Sequence, residues 1–360
     1  MIDSLLSSAY GALAARRRRW YAADRSRQRR LLRPVISVGN LRVGGSGKTP
    51  VVAAIARMLI QSGERPAILT RGYGRRTVRE GVTIVSDGRS VRSRVDEAGD
   101  EPLMLANAVA GAAVLVGADR YVSGALAERK LGATIHVLDD GFQHLALHRD
   151  VDLLLVEEED LDDTPLPAGR LRENLAAAAA ADAALVTAGY DAAVDRIARA
   201  LSVSTAFRVT RTIGAPHFFT GTCDSVVIPQ EARVFVVTGI ARPERFVADA
   251  TAAGWNVVGT IAYADHHRFT ARDLRRIASA ARAASSAIVL TTEKDAVRLA
   301  AVDLGDLPIA SVPLDLGIEP ADQFRTWLLS RIVSAREGLK ALPYTPPSIG
   351  NGLQAVPREP

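Results

Sequence analysis

The chain has 360 residues, 48% hydrophobic and 24% charged, and this length and composition predict two folded units. Its single cysteine, Cys223, excludes an internal disulfide framework and a thiolate metal site. The net charge is +5, but residues 1–33 alone, with nine arginines and two aspartates, carry +7. The rest of the chain therefore carries −2 and is not expected to bind nucleic acid.

The first segment, residues 1–33, combines an apolar stripe with a basic run. Apolar side chains recur at helical spacing between residues 2 and 13, and the arginines at 16–19 precede Trp20 and Tyr21. The stripe is too short and too polar to span a bilayer, and the charges follow it, unlike those of a signal peptide. Two interpretations stay open: an interfacial helix with arginines against anionic headgroups, or a helix docked on the protein's own surface.

From Pro34 onward, short β-branched apolar runs alternate with helical stretches, as is typical of buried parallel strands. The first set of runs lies at 34–39, 66–70, 113–117, 134–139, 151–156 and 183–187. A second set lies at 233–238, 256–261 and 286–291. Helices are expected around 242–253 and 270–284. The alternation predicts an α/β fold, a P-loop NTPase-type doubly wound parallel sheet with a second, smaller α/β domain.

The remaining stretches set the expected domain boundaries. Residues 205–229 contain short extended pieces with glycine and proline, and we interpret them as an inter-domain bridge. The alanine run 176–181 is expected in a helix that begins near Leu171. The proline-rich tail is expected to be disordered. The predicted units are 1–33, 34–204, 205–229, 230–334 and 335–360.

The stretch from Val35 to Pro50, followed by an apolar helical run, predicts a phosphate-binding loop. A strand, a glycine-rich loop, Lys-Thr and a helix together present backbone N–H groups and a helix N-terminus to phosphate. In this pattern Lys48 reaches the β- and γ-phosphates, and the Thr49 hydroxyl binds Mg²⁺. Lys48 is one of only four lysines among 45 basic residues, which favours a need for a compact ammonium. Arg42 stands where the usual loop has its first glycine.

Two adjacent carboxylates, Asp139 and Asp140, follow an apolar run and precede a glycine turn. Ligands of α/β sheets bind at the carboxyl ends of strands, and a cation there offsets the repulsion between the carboxylates. The pair therefore predicts the acidic half of a metal site, with an ordinary polar turn as the alternative.

Nucleotide and metal binding alone do not distinguish a kinase from a switch ATPase, because a kinase must also orient an acceptor and remove its proton. The candidate proton acceptors are Asp100 and Glu101, and the candidate partners are His266 and His267. Each is also typical of a turn or a cap. Loop arginines suited to a phosphorylated acceptor, or simply solvated, are Arg71, Arg75, Arg170 and Arg172.

Over about residues 30–300, seven ordered motifs resemble those of the tetraacyldisaccharide 4′-kinases, which phosphorylate the lipid A precursor of Gram-negative bacteria. The motifs are Val-Gly-Asn-Leu with Gly-Gly-Ser-Gly-Lys-Thr-Pro, Thr-Arg-Gly-Tyr-Gly-Arg at 70–75, Gly-Asp-Glu-Pro at 99–102, Asp-Asp-Gly-Phe-Gln-His at 139–144, Leu-Arg-Glu at 171–173, Asp-His-His at 265–267 and Thr-Glu-Lys-Asp at 292–295. The resemblance implies two α/β units bridged by a short ribbon, with the nucleotide in the cleft between them.

The resemblance also implies roles for single residues. Asp100 would be the catalytic base and work with His266. The other catalytic residues would be Lys48, Asp139 and Asp140. The nucleotide-binding residues would be Val43, Gly44, Gly45, Ser46, Gly47, Lys48 and Thr49, with Mg²⁺ held by Thr49 and Asp139. The substrate-binding residues would be Arg71, Tyr73, Gln143, His144, Arg172 and Glu173.

We therefore expect a kinase that uses ATP and Mg²⁺ to phosphorylate the 4′-hydroxyl of a tetraacyldisaccharide 1-phosphate, an acylated glucosamine disaccharide, in lipid A biosynthesis. The resemblance implies a peripheral location on the cytoplasmic face of the inner membrane, reached through the N-terminal helix, and we expect a monomer. The alternative is a membrane-associated P-loop switch ATPase. A nonenzymatic glycolipid carrier would leave Lys48 and Thr49 without a purpose.

Overall fold

The computed structural model describes residues 2–45, 47–73, 75, 81–218, 227–286, 288–304 and 307–340. Cys223 and the tail beyond Lys340 lie outside these residues. The strands are β1 (Val35–Gly39), β2 (Pro66–Thr70), β3 (Thr83–Asp87), β4 (Ala113–Val116), β5 (Ile135–Asp139), β6 (Val151–Glu157), β7 (Ala183–Thr187), β8 (Ala206–Ile213), β9 (His217–Phe218), β10 (Arg233–Thr238), β11 (Asn256–Ala262), β12 (Ile288–Thr292), β13 (Ile309–Val312) and β14 (Leu314–Glu319).

The helices alternate with these strands over most of the chain. They are α1 (Ile2–Ala22), α2 (Lys48–Gln61), α3 (Val95–Ala98), α4 (Asp100–Ala108), α5 (Arg120–Leu126), α6 (Asp191–Ala200), α7 (Pro243–Ala252), α8 (Ala271–Ala283), α9 (Glu293–Leu299) and α10 (Ala321–Lys340). Short 3₁₀ turns occur at Arg25–Arg27, Glu158–Asp160 and Leu175–Ala180, and a π-helical turn at Ala127–Leu131 extends α5.

Among the described residues, nine strands form the larger sheet in the order β14-β8-β7-β6-β1-β5-β2-β4-β3. Its seven central strands, from β8 to β4, run parallel, and the edge strands β14 and β3 run antiparallel to their neighbours. Helices α2, α4 and α10 cover one face, and α5 and α6 cover the other. The predicted doubly wound α/β fold is therefore confirmed, and β1 occupies the middle of the sheet.

The smaller sheet, in the part of the chain that the structure describes, has the order β11-β10-β12-β13-β9. Strands β11, β10, β12 and β13 are parallel, whereas the short β9 pairs antiparallel with β13. Two apolar clusters flank this sheet, one beneath α7 and one beneath α8 and α9. The strands expected at 233–238, 256–261 and 286–291 correspond to β10, β11 and β12, displaced by at most two residues.

The chain crosses between the two sheets twice, after β8 and after β13. The crossings lie side by side, because the Gly214 N–H donates to the Pro313 carbonyl at 2.9 Å. The expected bridge, 205–229, thus contains a full strand of the larger sheet, β8, as well as β9 of the smaller one. The structure also differs from the expected unit 230–334, because β14 pairs with β8 and α10 packs on the larger sheet through Phe324, Leu328 and Ile332.

The prediction of a helix that begins near Leu171 is wrong. Leu171 has extended backbone and bridges Arg42 and Pro165, and the Arg172 N–H donates to the Leu41 carbonyl at 2.6 Å. The alanine run forms only the 3₁₀ turn Leu175–Ala180. Backbone pairing to the phosphate-loop segment therefore overrides the helix propensity of alanine.

Helix α1 docks on the larger unit along one stripe. The Ser7 hydroxyl accepts from the Ala168 N–H at 2.9 Å, Gly11 lies against Asn174, and Arg18 pairs with Glu173 at 2.7 Å. The opposite side exposes large apolar side chains, among them Leu5 and Leu13, which are 69% and 65% exposed. None of the described helices is long and apolar enough to cross a membrane. Docking and an exposed apolar face thus occur on the same helix.

Candidate active site

The glycine-rich loop leaves the carboxyl end of β1, in the middle of the larger sheet, and leads directly into α2. Gly44 and Gly47 have left-handed backbones, with φ of 98° and 78°, which side-chain-bearing residues rarely adopt. Gly45 approaches the smaller unit so closely that a Cβ atom there would lie 3.1 Å from the Ala241 Cβ. The left-handed glycines therefore allow the tight turns of the loop, and the missing side chain at residue 45 allows its close contact with the smaller unit. Ser46 lies outside the described residues.

Lys48, the first residue of α2, reaches back over the loop. Its Nζ donates to Asn40 Oδ1 at 2.9 Å and lies 3.4 Å from Asp140 Oδ1. Thr49 follows it and is 9% exposed. The ammonium and the hydroxyl therefore occupy the end of the sheet at which the acidic residues lie.

Asp139 ends β5, which pairs with β1 in a register that sets Asp139 beside Val38. Burial, together with the charges of Glu101 and Asp140, raises the pKa of Asp139 to about 7. Burial would also raise the pKa of Asp140, but Lys48 and Arg172 outweigh it and hold that pKa below its usual value. At one edge of the sheet, therefore, one carboxyl has a raised pKa and its neighbour has a lowered pKa.

Asp100 and His266 come from different units and meet across the cleft. Asp100 begins α4 and is 4% exposed, and its Oδ2 lies 2.8 Å from His266 Nδ1. Burial would raise the pKa of Asp100, but the His266 hydrogen bond and the nearby Lys294 and Arg298 hold it below its usual value. The hydrogen bond to Asp100 raises the pKa of His266. The carboxyl is therefore ionised and in contact with an imidazole.

Glu101 and His267, the other two candidates from the sequence, occupy different surroundings. Glu101 Oε1 accepts from Lys294 Nζ at 3.0 Å, and Glu101 faces the same space as Asp139. His267 turns away: its Nε2 lies 3.3 Å from Asp273 Oδ2, and its ring stacks on Tyr263. His267 thus stabilises its own loop within the smaller unit.

A polar cluster joins the 139–144 turn to the 171–173 segment. Arg172 NH1 donates to both Asp140 carboxylate oxygens, at 2.9 and 2.7 Å, and to Gln143 Oε1 at 3.3 Å. Glu173 accepts two hydrogen bonds from Arg18 of α1. Burial and, to a smaller extent, the positive charge of Arg120 lower the pKa of His144 to about 4, so this imidazole is neutral. Helix α1 is therefore connected to the walls of the site.

One cavity of about 1340 Å³ is lined by residues of both units. The expected residues that line it are Val43, Gly44, Gly45, Gly47, Lys48, Thr49, Arg71, Tyr73, Asp139, Asp140, Gln143, His144, Arg172, Glu173 and His266. Asp100 stands behind this wall, in contact with His266. Arg170 pairs with Asp163 at 3.4 Å, and Arg75 donates to the Gly72 carbonyl at 3.2 Å, so these two arginines have protein partners.

Arg42, the departure from the usual phosphate loop, is 2% exposed and points into an ion-pair cluster. Its guanidinium binds Asp160 Oδ1 at 2.9 Å and Glu157 Oε2 at 3.1 Å. Arg242 and Arg245 of the smaller unit bind the same Glu157, each at 2.6 Å. Arg42 therefore contacts the end of β6 and leaves the inside of the loop to backbone N–H groups.

Three basic residues of the site were missed as functional residues. Arg120 follows the carboxyl end of β4, is 5% exposed, and lines the cavity. Its position after a predicted strand was the available signal. Lys294 lies in the Thr-Glu-Lys-Asp motif, to which the sequence alone assigned no function. Arg17, from α1, also lines the cavity and donates to the Gln143 carbonyl at 3.1 Å.

Comparisons with known proteins agree with this geometry. The family model described as tetraacyldisaccharide-1-P 4′-kinase matches residues 3–333. The chain is 38% identical over 303 residues to tetraacyldisaccharide 4′-kinase of Desulfotalea psychrophila, covering 82% of this chain and 86% of the relative. It is 36% identical over 340 residues to that of Koribacter versatilis, covering 92% and 99%.

A solved structure gives the same result. LpxK from Aquifex aeolicus, in complex with ATP, superposes with a TM-score of 0.73 at 30% sequence identity, covering 92% of this chain and all of that one. The chain therefore belongs to the tetraacyldisaccharide-1-P 4′-kinase family.

Proposed function

We propose that this protein transfers the γ-phosphoryl group of ATP to the 4′-hydroxyl of a tetraacyldisaccharide 1-phosphate. One observation carries the proposal: Lys48 of the phosphate-binding loop and His266, which contacts an ionised Asp100, line one cavity between the two units. The ATP in the Aquifex aeolicus structure supports ATP as the phosphoryl donor, and the family match supports the tetraacyldisaccharide 1-phosphate as the acceptor. A switch that transfers phosphate only to water would not need Asp100 and His266.

The phosphoryl donor would be bound by the loop between β1 and α2. Backbone N–H groups of Gly44, Gly45 and Gly47 and the Lys48 ammonium would contact the β- and γ-phosphates. The apolar side chains Ile240, Phe246, Val312 and Leu314 line the part of the cavity formed by the smaller unit and β14, and would contact the nucleoside. The two units would thus each bind one end of ATP.

The residues present fit a Mg²⁺ ion. Among the described residues no cluster of three or more His, Cys, Asp or Glu side chains could hold a metal. Mg²⁺ bound with a nucleotide needs only one or two protein ligands, because phosphate oxygens and waters supply the rest. The Thr49 hydroxyl and the buried Asp139 carboxyl would hold it. When bound, the ion would neutralise charge on the phosphate oxygens.

The transfer itself would be an in-line displacement. The 4′-oxygen forms a bond to the γ-phosphorus, the bond from that phosphorus to the bridging oxygen of ADP breaks, and Asp100 accepts the hydroxyl proton. His266, whose Nδ1 lies 2.8 Å from Asp100 Oδ2, would hold the carboxylate in place. Arg71, Tyr73, Gln143, His144, Arg172 and Glu173 would position the disaccharide.

ADP formation with and without the acylated disaccharide 1-phosphate tests this function. Because Asp100 would act only on an acceptor hydroxyl, we expect ADP release to rise at least about tenfold when the disaccharide is added, with Mg²⁺ required throughout. Equal ADP release without the disaccharide would favour the switch ATPase. Absence of ADP in both cases would favour a glycolipid carrier. A Lys48→Met sample serves as the control for contaminating ATPases.

We also propose that α1 attaches the protein peripherally to the inner membrane at its cytoplasmic face. Its exposed Leu5, Leu6 and Trp20 would enter the lipid boundary, and the arginines at 16–19 would bind anionic headgroups. The acylated acceptor would then reach the cavity along Tyr10 and Leu13, which line it. We expect the protein to act as a monomer.

A Leu5→Asp/Leu6→Asp double variant should sediment with anionic liposomes at least about tenfold more weakly than the wild type, because two buried leucines would be lost from the lipid boundary. Binding of the wild type should also weaken as salt is added. Val333→Asp, at an exposed apolar position of α10, is the matched control and should bind as the wild type does. Equal sedimentation of the double variant would contradict attachment through α1.

A further inference from the structure

His266 lies between an acidic and a basic neighbour. Its Nδ1 is 2.8 Å from Asp100 Oδ2 of α4, and its Nε2 is 3.4 Å from Lys294 Nζ of α9. The Lys294 side chain is 16% exposed, and its ammonium also contacts Glu101 Oε1 at 3.0 Å and Asp265 Oδ1 at 3.2 Å. One ammonium from the smaller unit therefore contacts both the imidazole and the helix that carries the carboxylate.

This arrangement decides which nitrogen of His266 carries the proton. An ammonium can only donate, so Nε2, which faces Lys294, is the acceptor end of the ring. Nδ1 then carries the hydrogen that Asp100 accepts. The only other group near Nε2 in the described contacts, Asp265 Oδ2, is 3.6 Å away and beyond hydrogen-bond distance.

We propose that Lys294 is a positioning residue that fixes the tautomer of His266, disfavours a second proton on this imidazole, and so leaves Asp100 able to accept the proton of the acceptor hydroxyl. The inference rests on the proposed kinase function and adds a residue to it. A protonated His266 would form an ion pair with Asp100 and make the carboxylate a weaker base. Its Nε2 would then also place a positive N–H group against the ammonium.

The backbone places Lys294 and His266 relative to each other through a shared turn. His266 has a left-handed backbone with φ of 60°, and its N–H donates to the Gly239 carbonyl at 3.2 Å. Asp295, next to Lys294, accepts from the Gly239 N–H at 3.0 Å, and Arg298 NH2 donates to the Gly239 carbonyl at 2.9 Å. Both the loop and α9 are thus attached to Gly239, which fixes the distance between ammonium and imidazole.

The charges around His266 give the sign of the effect. The hydrogen bond to Asp100 raises the pKa of His266 above its usual value, and burial and the charge of Lys294 oppose this rise without cancelling it. Without the ammonium, less positive charge opposes the effect of the neighbouring carboxylates on the ring. The imidazole then binds its second proton at a higher pH. The charged and titratable groups near the ring are Asp100 and Glu101 of α4, Asp265 of its own loop, Lys294 and Arg298 of α9, and Tyr73, whose ring centre is 5.3 Å away.

The test compares wild-type protein with Lys294→Met in two measurements on the full chain. Nitrogen-15 NMR of labelled histidine, with His266 assigned by difference from His266→Gln, should show the Nδ1–H tautomer above the pKa of this imidazole, and that pKa should rise by about one unit in the variant. The acidic limb of the kcat/KM profile for phosphoryl transfer should move upward by the same amount. Activity on that limb should therefore fall about tenfold and recover at higher pH.

Three variants separate this effect from a purely structural one. Lys294→Arg keeps a positive donor and should hold the limb near its wild-type position. Glu101→Gln removes the same ion pair between the units but leaves Lys294 facing His266, so the limb should not move upward. Lys130→Met changes an exposed lysine and should leave both measurements unchanged.

The inference is overturned by an unchanged His266 pKa in Lys294→Met, by an activity loss equal at every pH, or by a wild-type proton on Nε2. Should Lys294→Met not fold, Lys294→Gln gives the same comparison with a neutral polar side chain. A wild-type protein that transfers no phosphoryl group would instead overturn the proposed function. The NMR measurement would then still decide the state of His266.

Discussion

Replacing Asp100 with asparagine should lower kcat for phosphoryl transfer by about 10²–10⁴-fold, the usual contribution of a general base. Asparagine has nearly the same shape and can still accept the His266 hydrogen through its amide oxygen, but it cannot take a proton from the acceptor hydroxyl. The affinity for ATP should stay unchanged, because Asp100 contacts His266 and is not part of the phosphate loop. Steady-state kinetics with the acylated disaccharide, and calorimetric titration with ATP, check the two halves of the prediction.

Asp162→Asn, at an exposed position of the larger unit, is the matched control and should retain wild-type kcat. A wild-type rate for Asp100→Asn would remove the carboxylate from the role of base. A loss of ATP affinity equal to the loss of rate would instead make Asp100 part of the nucleotide site.

Lys48→Met should have the other large effect, on both binding and rate. The ammonium would contact the β- and γ-phosphates and offset charge that develops during transfer, so kcat/KM should fall by at least about 10²–10³-fold. The ATP affinity should fall as well, unlike in Asp100→Asn. Kinetics over a range of ATP concentrations separate the two parts.

The fold of Lys48→Met should remain intact, because Arg172 still pairs with the Asp140 carboxylate that Lys48 would vacate. A thermal melt close to that of the wild type checks this. Lys48→Arg should remain strongly impaired, since a planar guanidinium does not replace a compact ammonium inside a tight loop. A variant that keeps full kcat/KM would contradict the phosphate-binding role of the loop.

The sequence predicted most strands of both sheets because buried parallel strands are continuous apolar runs. β8 and β14 were missed for the opposite reason. Their polar and apolar residues alternate, as expected at the antiparallel edge of a sheet, and β8 lies within the segment interpreted as a bridge. Their pairing also joins segments separated by about a hundred residues, which no local pattern reveals. For α10 the signal was present in Phe324, Leu328 and Ile332, at helical spacing.

The site divides in the same way. The loop around Lys48 and the strand-end pair Asp139 and Asp140 follow from local patterns, because strand, loop and helix are contiguous there. The contact between Asp100 and His266 joins residues 166 positions apart, so spacing could not reveal it, and it was expected only from the resemblance to the family. Lys294 was overlooked because its partners lie in two segments of the chain, at residue 101 and at residues 265–266, far from it in sequence.

If this protein is the kinase proposed here, the loop at Lys48 and the pair formed by Asp100 and His266 constitute one phosphoryl-transfer site. The most direct measurement is to incubate the protein with ATP labelled in its γ-phosphate, Mg²⁺ and the acylated disaccharide 1-phosphate, and to locate the label. We expect label on the 4′-oxygen of the lipid, in equal amount to the ADP formed. Label recovered as free phosphate, or on another hydroxyl, would contradict it.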